Sequence, residues 1–162
     1  MLGTLTVSEP GHARVALASR TAGPAFAPRS AQQALMAAPA RECWARTARR
    51  FASVLLSHWR LGAADRDSAI LIVGELVANA AQHGRSDMTL RLTLHPHVLD
   101  IAVADHGGPL PRRASRCEDA DEHGRGIDIV RALATWVEIL QDETGRQVRA
   151  GLSVTVPHPR AF

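Results

Sequence analysis

Three polar residues occur at a spacing of four within an otherwise apolar segment. Glu75, Asn79 and His83 lie in the stretch AILIVGELVANAAQHG, and residues four apart share one face of an α-helix. Burying a carboxylate and an amide is unfavourable unless both are hydrogen-bonded or ligated. Two explanations are open: this face is solvated or caps a neighbouring loop, or it binds a metal ion and phosphates. In the second case the amide oxygen would ligate Mg²⁺ and the carboxylate would orient a nucleophile.

Two glycine-containing segments follow farther along the chain. Asp105-His106-Gly107-Gly108 ends a predicted strand. It is either an ordinary turn or a place where a carboxylate meets an exocyclic amine and glycine admits a flat ring. Gly124-Arg125-Gly126 precedes a predicted helix, where free amide groups and the helix dipole favour an anion. It is not a Rossmann motif, because a third glycine is missing and no strand precedes it. Neither segment alone identifies a ligand.

The basic residues exclude several kinds of chemistry. All 19 of them are arginines, so a Walker P-loop, a kinase site that needs lysine and a Schiff-base enzyme are excluded. Phosphates would have to be bound by backbone amides, a metal ion and arginine. The formal net charge of +3 is small, and there is no recognition helix with interleaved aromatic and basic residues. We therefore expect no direct binding to nucleic acid.

The sequence also indicates where the protein works. The two cysteines, Cys43 and Cys117, are far apart and lack metal-ligand spacing, which fits a reducing compartment. The N-terminus lacks the basic and apolar blocks of a signal peptide. The densest apolar run, residues 69–81, is interrupted by polar residues and is too short to span a bilayer. We expect a cytoplasmic protein that does not bind membranes.

Apolar periodicity predicts an α+β domain, a sheet with helices packed on one face. Residues 1–30 form a predicted extension, partly disordered, in which 12–19 could be a short strand, and residues 31–37 are a candidate first strand or lead-in. The predicted helices cover 41–59, 64–82 and 127–136, and the predicted strands cover 88–95, 98–105, 137–140 and 146–156.

The order of these motifs resembles that of the GHKL superfamily, which includes gyrase, Hsp90, MutL and the catalytic domain of histidine kinases. The resemblance implies the Bergerat fold, a two-layer α/β sandwich with a mixed, mostly antiparallel sheet, and an ATP-binding domain over residues 31–162. The segments ELVANAAQHG, DHGGP and GRGIDIV are similar to small actinobacterial relatives of the anti-sigma-factor serine kinases of the RsbW type. The similarity covers roughly residues 40–156.

The resemblance implies ATP and Mg²⁺ as cofactors and gives the motif residues roles. Asn79 matches the Mg²⁺ ligand, and Glu75 matches the general base that activates a serine hydroxyl or a water. Asp105 matches the aspartate that recognises the adenine amino group, and Gly107 leaves space for the ring.

On the phosphate side, Gly124 and Gly126 match the family's glycines, and Arg125 would add positive charge. His83 either lines the site or satisfies a helix end. Gln147 stands where the subfamily often has a threonine that helps at the phosphates. This departure weakens the expectation of phosphoryl transfer more than that of nucleotide binding.

The function implied by the resemblance is that of an ATP-dependent serine kinase and anti-sigma factor. It would phosphorylate a STAS-domain antagonist and choose between that antagonist and a sigma factor, and the family leads us to expect a homodimer. Two alternatives remain open. One is a nucleotide-gated binding module without catalysis, and the other is a detached histidine-kinase catalytic domain.

Overall fold

The computed structural model describes residues 14–19, as backbone only, and residues 31–83, 87–106, 125–142 and 145–155. Within them the chain forms six strands and three helices. In chain order these are β1 (Arg14–Ser19), β2 (Gln32–Pro39), α1 (Cys43–His58), α2 (Ala63–His83), β3 (Asp87–Leu94), β4 (Val98–Asp105), α3 (Arg125–Leu133), β5 (Trp136–Asp142) and β6 (Gly145–Ser153).

The strands form one sheet in the order β1-β2-β3-β4-β6-β5. Each neighbouring pair in this order is antiparallel. The three helices form a second layer on one face of the sheet, so the predicted α+β class is confirmed. Strand β1 lies within the segment predicted as an N-terminal extension and pairs with β2. The domain boundary at residue 31 stays a prediction.

The core lies between the sheet and the helices. Side chains alternate between the two faces of a strand, and in β3 the buried residues are Met88, Leu90, Leu92 and Leu94. The buried side chains of β4 and β6 continue this apolar surface across the sheet. The apolar alternation of residues 88–95 is therefore present as buried and half-buried positions, and it fixes which side chains of β3 face the helices.

Helix α1 contributes an apolar stripe to this core. Its buried residues are Ala48, Ala52, Leu55 and Leu56. The helix ends at His58, one residue before the predicted end at 59, and Arg60 then adopts a left-handed conformation with a φ of 60°. The backbone N–H of Leu61 then donates to the carbonyl of Leu56 at 3.1 Å, a hydrogen bond typical of a left-handed C-terminal cap.

Helix α2 lies between the other elements. It packs against α1 on one side and α3 on the other, and against β3, β4 and β6 below. This placement explains why the helix is apolar on nearly all sides. The helix begins at Ala63, so Asp65 and Asp67 both lie inside it. The Asp65 carboxylate accepts a hydrogen bond from the backbone N–H of Thr155 at 2.9 Å.

The third helix is shorter at its C-terminal end than predicted. It ends at Leu133, and Trp136, predicted as its last residue, instead begins β5 opposite Gly151. A Cβ at Gly151 would collide with the indole of Trp136, so the missing side chain makes room for the ring. None of the helices in the described part of the chain combines the length and the apolar character needed to cross a membrane.

Candidate functional site

The C-terminal half of α2 positions two of the predicted site residues. Glu75 and Asn79 are half-buried and lie one helical turn apart, about 6 Å along the axis. His83 is the last residue of α2, and its side chain lies outside what the structure describes. Only three residues separate the end of α2 from the start of β3, so the C-terminal end of α2 lies near the end of the sheet where β3 begins and β4 ends.

Asp105 is buried at that end of the sheet. It is the last residue of β4, a strand between β3 and β6, and its exposed fraction is 7%. It is the one polar or charged residue in the buried class among the described residues. By strand alternation it lies on the face of Ile101 and Val103, which is the face covered by the helices. A carboxylate held here can accept hydrogen bonds from a ligand between the two layers.

Glu75 and Gly126 are brought together by the packing of α2 against α3. A Cβ placed on Gly126 would lie 2.8 Å from Oε2 of Glu75, closer than an ordinary contact. The absence of a side chain therefore lets the backbone of α3 approach the carboxylate. Gly126 is in the first turn of α3, where the helix dipole favours a negative charge. The structure thus joins the polar face of α2 to the glycine-containing start of α3.

The start of β6 lies close against the end of β4 because Gly145 has no side chain. Gly145 has a φ of +154°, and a Cβ there would collide with the carbonyl oxygen of Asp105. Its N–H donates to Oδ1 of Asp142 at 3.1 Å, which closes the β5–β6 turn. On the other side of β4, the N–H of His106 donates to the carbonyl of Asp87 at 3.0 Å. Both neighbouring strands therefore hold the backbone around Asp105.

Strand register separates Gln147 from the other predicted site residues. Asp105 pairs with Arg146, whereas Gln147 pairs with Ala104. Because neighbouring residues of a strand point to opposite faces, Arg146 shares the helix-covered face with Asp105, and Gln147 lies on the other face. The register therefore puts Arg146, and not Gln147, on the same face as Asp105. Nε of Arg146 is buried and has no hydrogen-bond partner among the described residues.

Three further residues were predicted for the site, namely Arg125, Gly107 and Gly124. Arg125 is exposed and is the first residue of α3. Gly107 and Gly124 lie outside the described residues, so their roles stay predictions. Sequence reasoning missed two residues, Arg146 and Gly145. Counting alternate positions from the buried Val148 would have placed Arg146 on the core face.

Comparison with known proteins identifies the family. Residues 38–152 match the family model described as the histidine kinase-like ATPase domain. The chain belongs to this family. Among solved structures, the histidine kinase domain of the blue-light-activated histidine kinase from Erythrobacter litoralis is similar, with 19% sequence identity and a TM-score of 0.44. The match covers 72% of this chain and 62% of that chain. Comparison with curated proteins gives no match.

The residues of this histidine kinase-like ATPase domain fit an ATP-binding module. Asp105 offers a buried acceptor, Arg146 a buried donor and Asn79 an amide oxygen. In the described part of the chain, no group of three or more His, Cys, Asp or Glu residues is arranged to hold a metal ion. Mg²⁺ does not require one, because it usually takes one or two protein ligands together with phosphates and water. These hydrogen-bonding groups and the amide oxygen therefore fit a nucleotide that binds together with Mg²⁺.

A separate charged cluster lies on the open face of the sheet. The Arg149 guanidinium donates to Asp100 at 2.8 Å and to Glu138 at 3.2 Å, and it stacks over Trp136 at 5.4 Å from the ring centroid. The hydrogen bond to Asp100 raises the pKa of Arg149, against the opposing effect of burial. By strand alternation this cluster is on the face opposite Asp105, so it is separate from the candidate site.

Proposed function

We propose that this chain is an ATP-dependent serine kinase that also acts as an anti-sigma factor. The family supports an ATP-binding module with kinase-like chemistry. The observation that carries the proposal is the close approach of the Glu75 carboxylate to Gly126. The contact supports the proposal because phosphoryl transfer requires a general base close to the phosphates, and the phosphates are predicted to bind at the start of α3.

The proposed roles are those that the family resemblance implies for these residues. Bound Mg-ATP would supply the phosphoryl group. Glu75 would accept the proton of the attacking serine hydroxyl, Asn79 would ligate Mg²⁺, and Asp105 would accept a hydrogen bond from the adenine amino group. Backbone amides at the start of α3, together with Arg125, would stabilise the negative charge of the phosphates.

The proposed partners are a STAS-domain antagonist, which carries the acceptor serine, and a sigma factor. We propose that the chain binds them in the cytoplasm as a homodimer. A nucleotide-gated binding module without catalysis is the main alternative. Its sequence-based support came from Gln147, and the register removes this support because Gln147 lies on the face away from α2.

A phosphorylation assay tests the proposal. The protein is incubated with Mg-ATP labelled at the γ-phosphate and a STAS-domain protein from the same organism, and phosphoserine is measured. We expect Glu75→Gln to lower the rate about 100-fold or more, since a positioned base contributes about that much, with little change in ATP affinity. Glu138→Gln is the matched control, because Glu138 is an exposed carboxylate on the edge strand β5.

Each other outcome selects a different function. ATP binding without phosphoserine, but with a partner affinity that depends on nucleotide, would replace the kinase with the binding module. Phosphohistidine on a separate dimerisation protein would identify a detached histidine-kinase catalytic domain. An equal rate for Glu75→Gln and Glu138→Gln would remove Glu75 as the base.

A further inference from the structure

Arg146 is the one guanidinium that strand register places next to Asp105. The two residues are directly paired between β4 and β6, and both belong to the face that packs against the helices. The close approach of Gly145 to the Asp105 carbonyl fixes where β6 begins. Arg146 is therefore held by backbone geometry at the same end of the site as the buried carboxylate.

The side chain of Arg146 is half-buried. Its Nε is buried and makes no hydrogen bond with any described residue. Leaving a buried donor unpaired is unfavourable, and most such groups in folded proteins have a partner. Arg149, the other arginine of β6, also has a buried Nε without a partner, but its terminal nitrogens form ion pairs with Asp100 and Glu138. What distinguishes Arg146 is its position opposite Asp105 on the helix-covered face of the sheet, where a ligand can supply the missing partner.

Asp105 and Arg146 together present an acceptor and a donor. Ionised aspartate only accepts hydrogen bonds, and arginine only donates them. The edge of adenine has the complementary pattern, because its exocyclic amino group donates and a ring nitrogen on either side of that group accepts. The planar guanidinium also suits contacts within the plane of a base.

We propose that Arg146 is a base-recognition residue of the nucleotide site, donating to a ring nitrogen that flanks the amino group recognised by Asp105. This inference rests on the nucleotide-binding part of the proposed function and not on its kinase or anti-sigma parts. Arg146 would then help to determine which base the site binds. The sequence alone predicted no role for this residue.

The proposal is tested by combining nucleotide analogues that lack one ring nitrogen with a protein variant that lacks the arginine. Dissociation constants are measured for ATP, 1-deaza-ATP and 7-deaza-ATP, each analogue lacking one ring acceptor, with the unaltered protein and with Arg146→Met. Methionine keeps an unbranched stem and removes the donors. We expect the unaltered protein to bind one analogue roughly 10-fold more weakly than ATP, as loss of a hydrogen bond to a charged donor predicts. In Arg146→Met that penalty should vanish, because the paired donor is already absent.

Gln147→Ala is the matched control, since Gln147 is the next residue of β6 and lies on the opposite face. It should retain the full penalty for the same analogue. Arg146→Gln, which keeps an amide donor, is the second variant in case Arg146→Met does not fold, and it should reduce the penalty. Circular dichroism and thermal melting confirm that each variant is folded.

The remaining outcomes overturn the inference in distinguishable ways. If Arg146→Met weakens ATP and both analogues by the same factor, Arg146 contacts the phosphates and not the base. If Arg146→Met lowers the melting temperature while the analogue penalties persist, Arg146 is structural. If Gln147→Ala instead abolishes the penalty, the register argument is wrong. If the unaltered protein binds none of the three nucleotides, nucleotide binding itself fails, and the inference fails with it.

Discussion

Gly126→Ala adds a single methyl group where α3 passes closest to the Glu75 carboxylate. The new Cβ would lie 2.8 Å from Oε2, and an ordinary contact begins at 3.4 Å, so the carboxylate must move by about 0.6 Å. The backbone of α3 is fixed by packing against α2, whereas the end of the Glu75 side chain can rotate. We therefore expect the carboxylate to move and the helix to stay.

The effect of this substitution on stability should be small. Shifting the glutamate away from its preferred rotamer costs about 0.5–1.5 kcal/mol. Replacing glycine with alanine inside a helix contributes about 0.5–1 kcal/mol in the opposite direction. The free energy of unfolding, measured by urea denaturation, should change by less than about 1 kcal/mol.

The effect on catalysis should be much larger. A misplacement of 1 Å in a catalytic group can lower a rate about 100-fold, so a displacement of about 0.6 Å should lower kcat roughly 10-fold. Alanine keeps the amide N–H of residue 126, so the ATP dissociation constant should change less than about threefold. The rate of phosphoserine formation and the equilibrium binding of ATP separate the two effects. Gly62→Ala is the control, because a Cβ at Gly62 has no neighbour within 4 Å.

Two results would refute this reasoning. If Gly126→Ala leaves kcat unchanged, the contact with α3 does not position the Glu75 carboxylate. If kcat falls together with a loss of several kcal/mol in unfolding free energy, the methyl group has disrupted the packing of α2 against α3. In that case the change in rate says nothing about the carboxylate.

Two further substitutions test contacts within the sheet, the close approach of β6 to β4 and the ion pair of Arg149. Gly145→Ala should lower the free energy of unfolding by at least about 2 kcal/mol in urea denaturation, because alanine is strained at this φ and its Cβ would collide with the Asp105 carbonyl. A loss no larger than that of Gly62→Ala would contradict the close approach of β6 to β4. Arg149→Met should lower the free energy of unfolding by about 1–3 kcal/mol, because Asp100, 15% exposed, loses its cation. This loss should be equal at pH 7 and pH 9, since the pKa of Arg149 is raised and its stabilising contribution is fully present below its ordinary pKa. A loss that disappears between these pH values would exclude Arg149 as its source.

Much of the secondary structure follows from local patterns. The alternation of Leu90, Leu92 and Leu94 predicted β3 to within one residue at each end, because one face of the strand is buried and the other is not. Helix α2 was predicted with similar accuracy from its apolar residues and the glycine that follows. The end of α3 was predicted too late, since Trp136 fits an apolar helical stripe equally well. Only its partner Gly151, on a different strand, makes it part of β5.

The sequence by itself determined that Glu75 and Asn79 share a helix face, because 3.6 residues per turn is a local property of the chain. It also determined that Asp105 ends a strand and that Gly126 lies near a helix start. Only the tertiary structure decided which of these residues meet. The contact between Glu75 and Gly126 depends on how α2 packs against α3, which are far apart in sequence. The choice of Arg146 over Gln147 depends on the register of β6 against β4, and a shift of one residue would exchange their faces. That register is set by burial of Val148 and Ala150 against the helices and by the close approach of Gly145, which are long-range contacts.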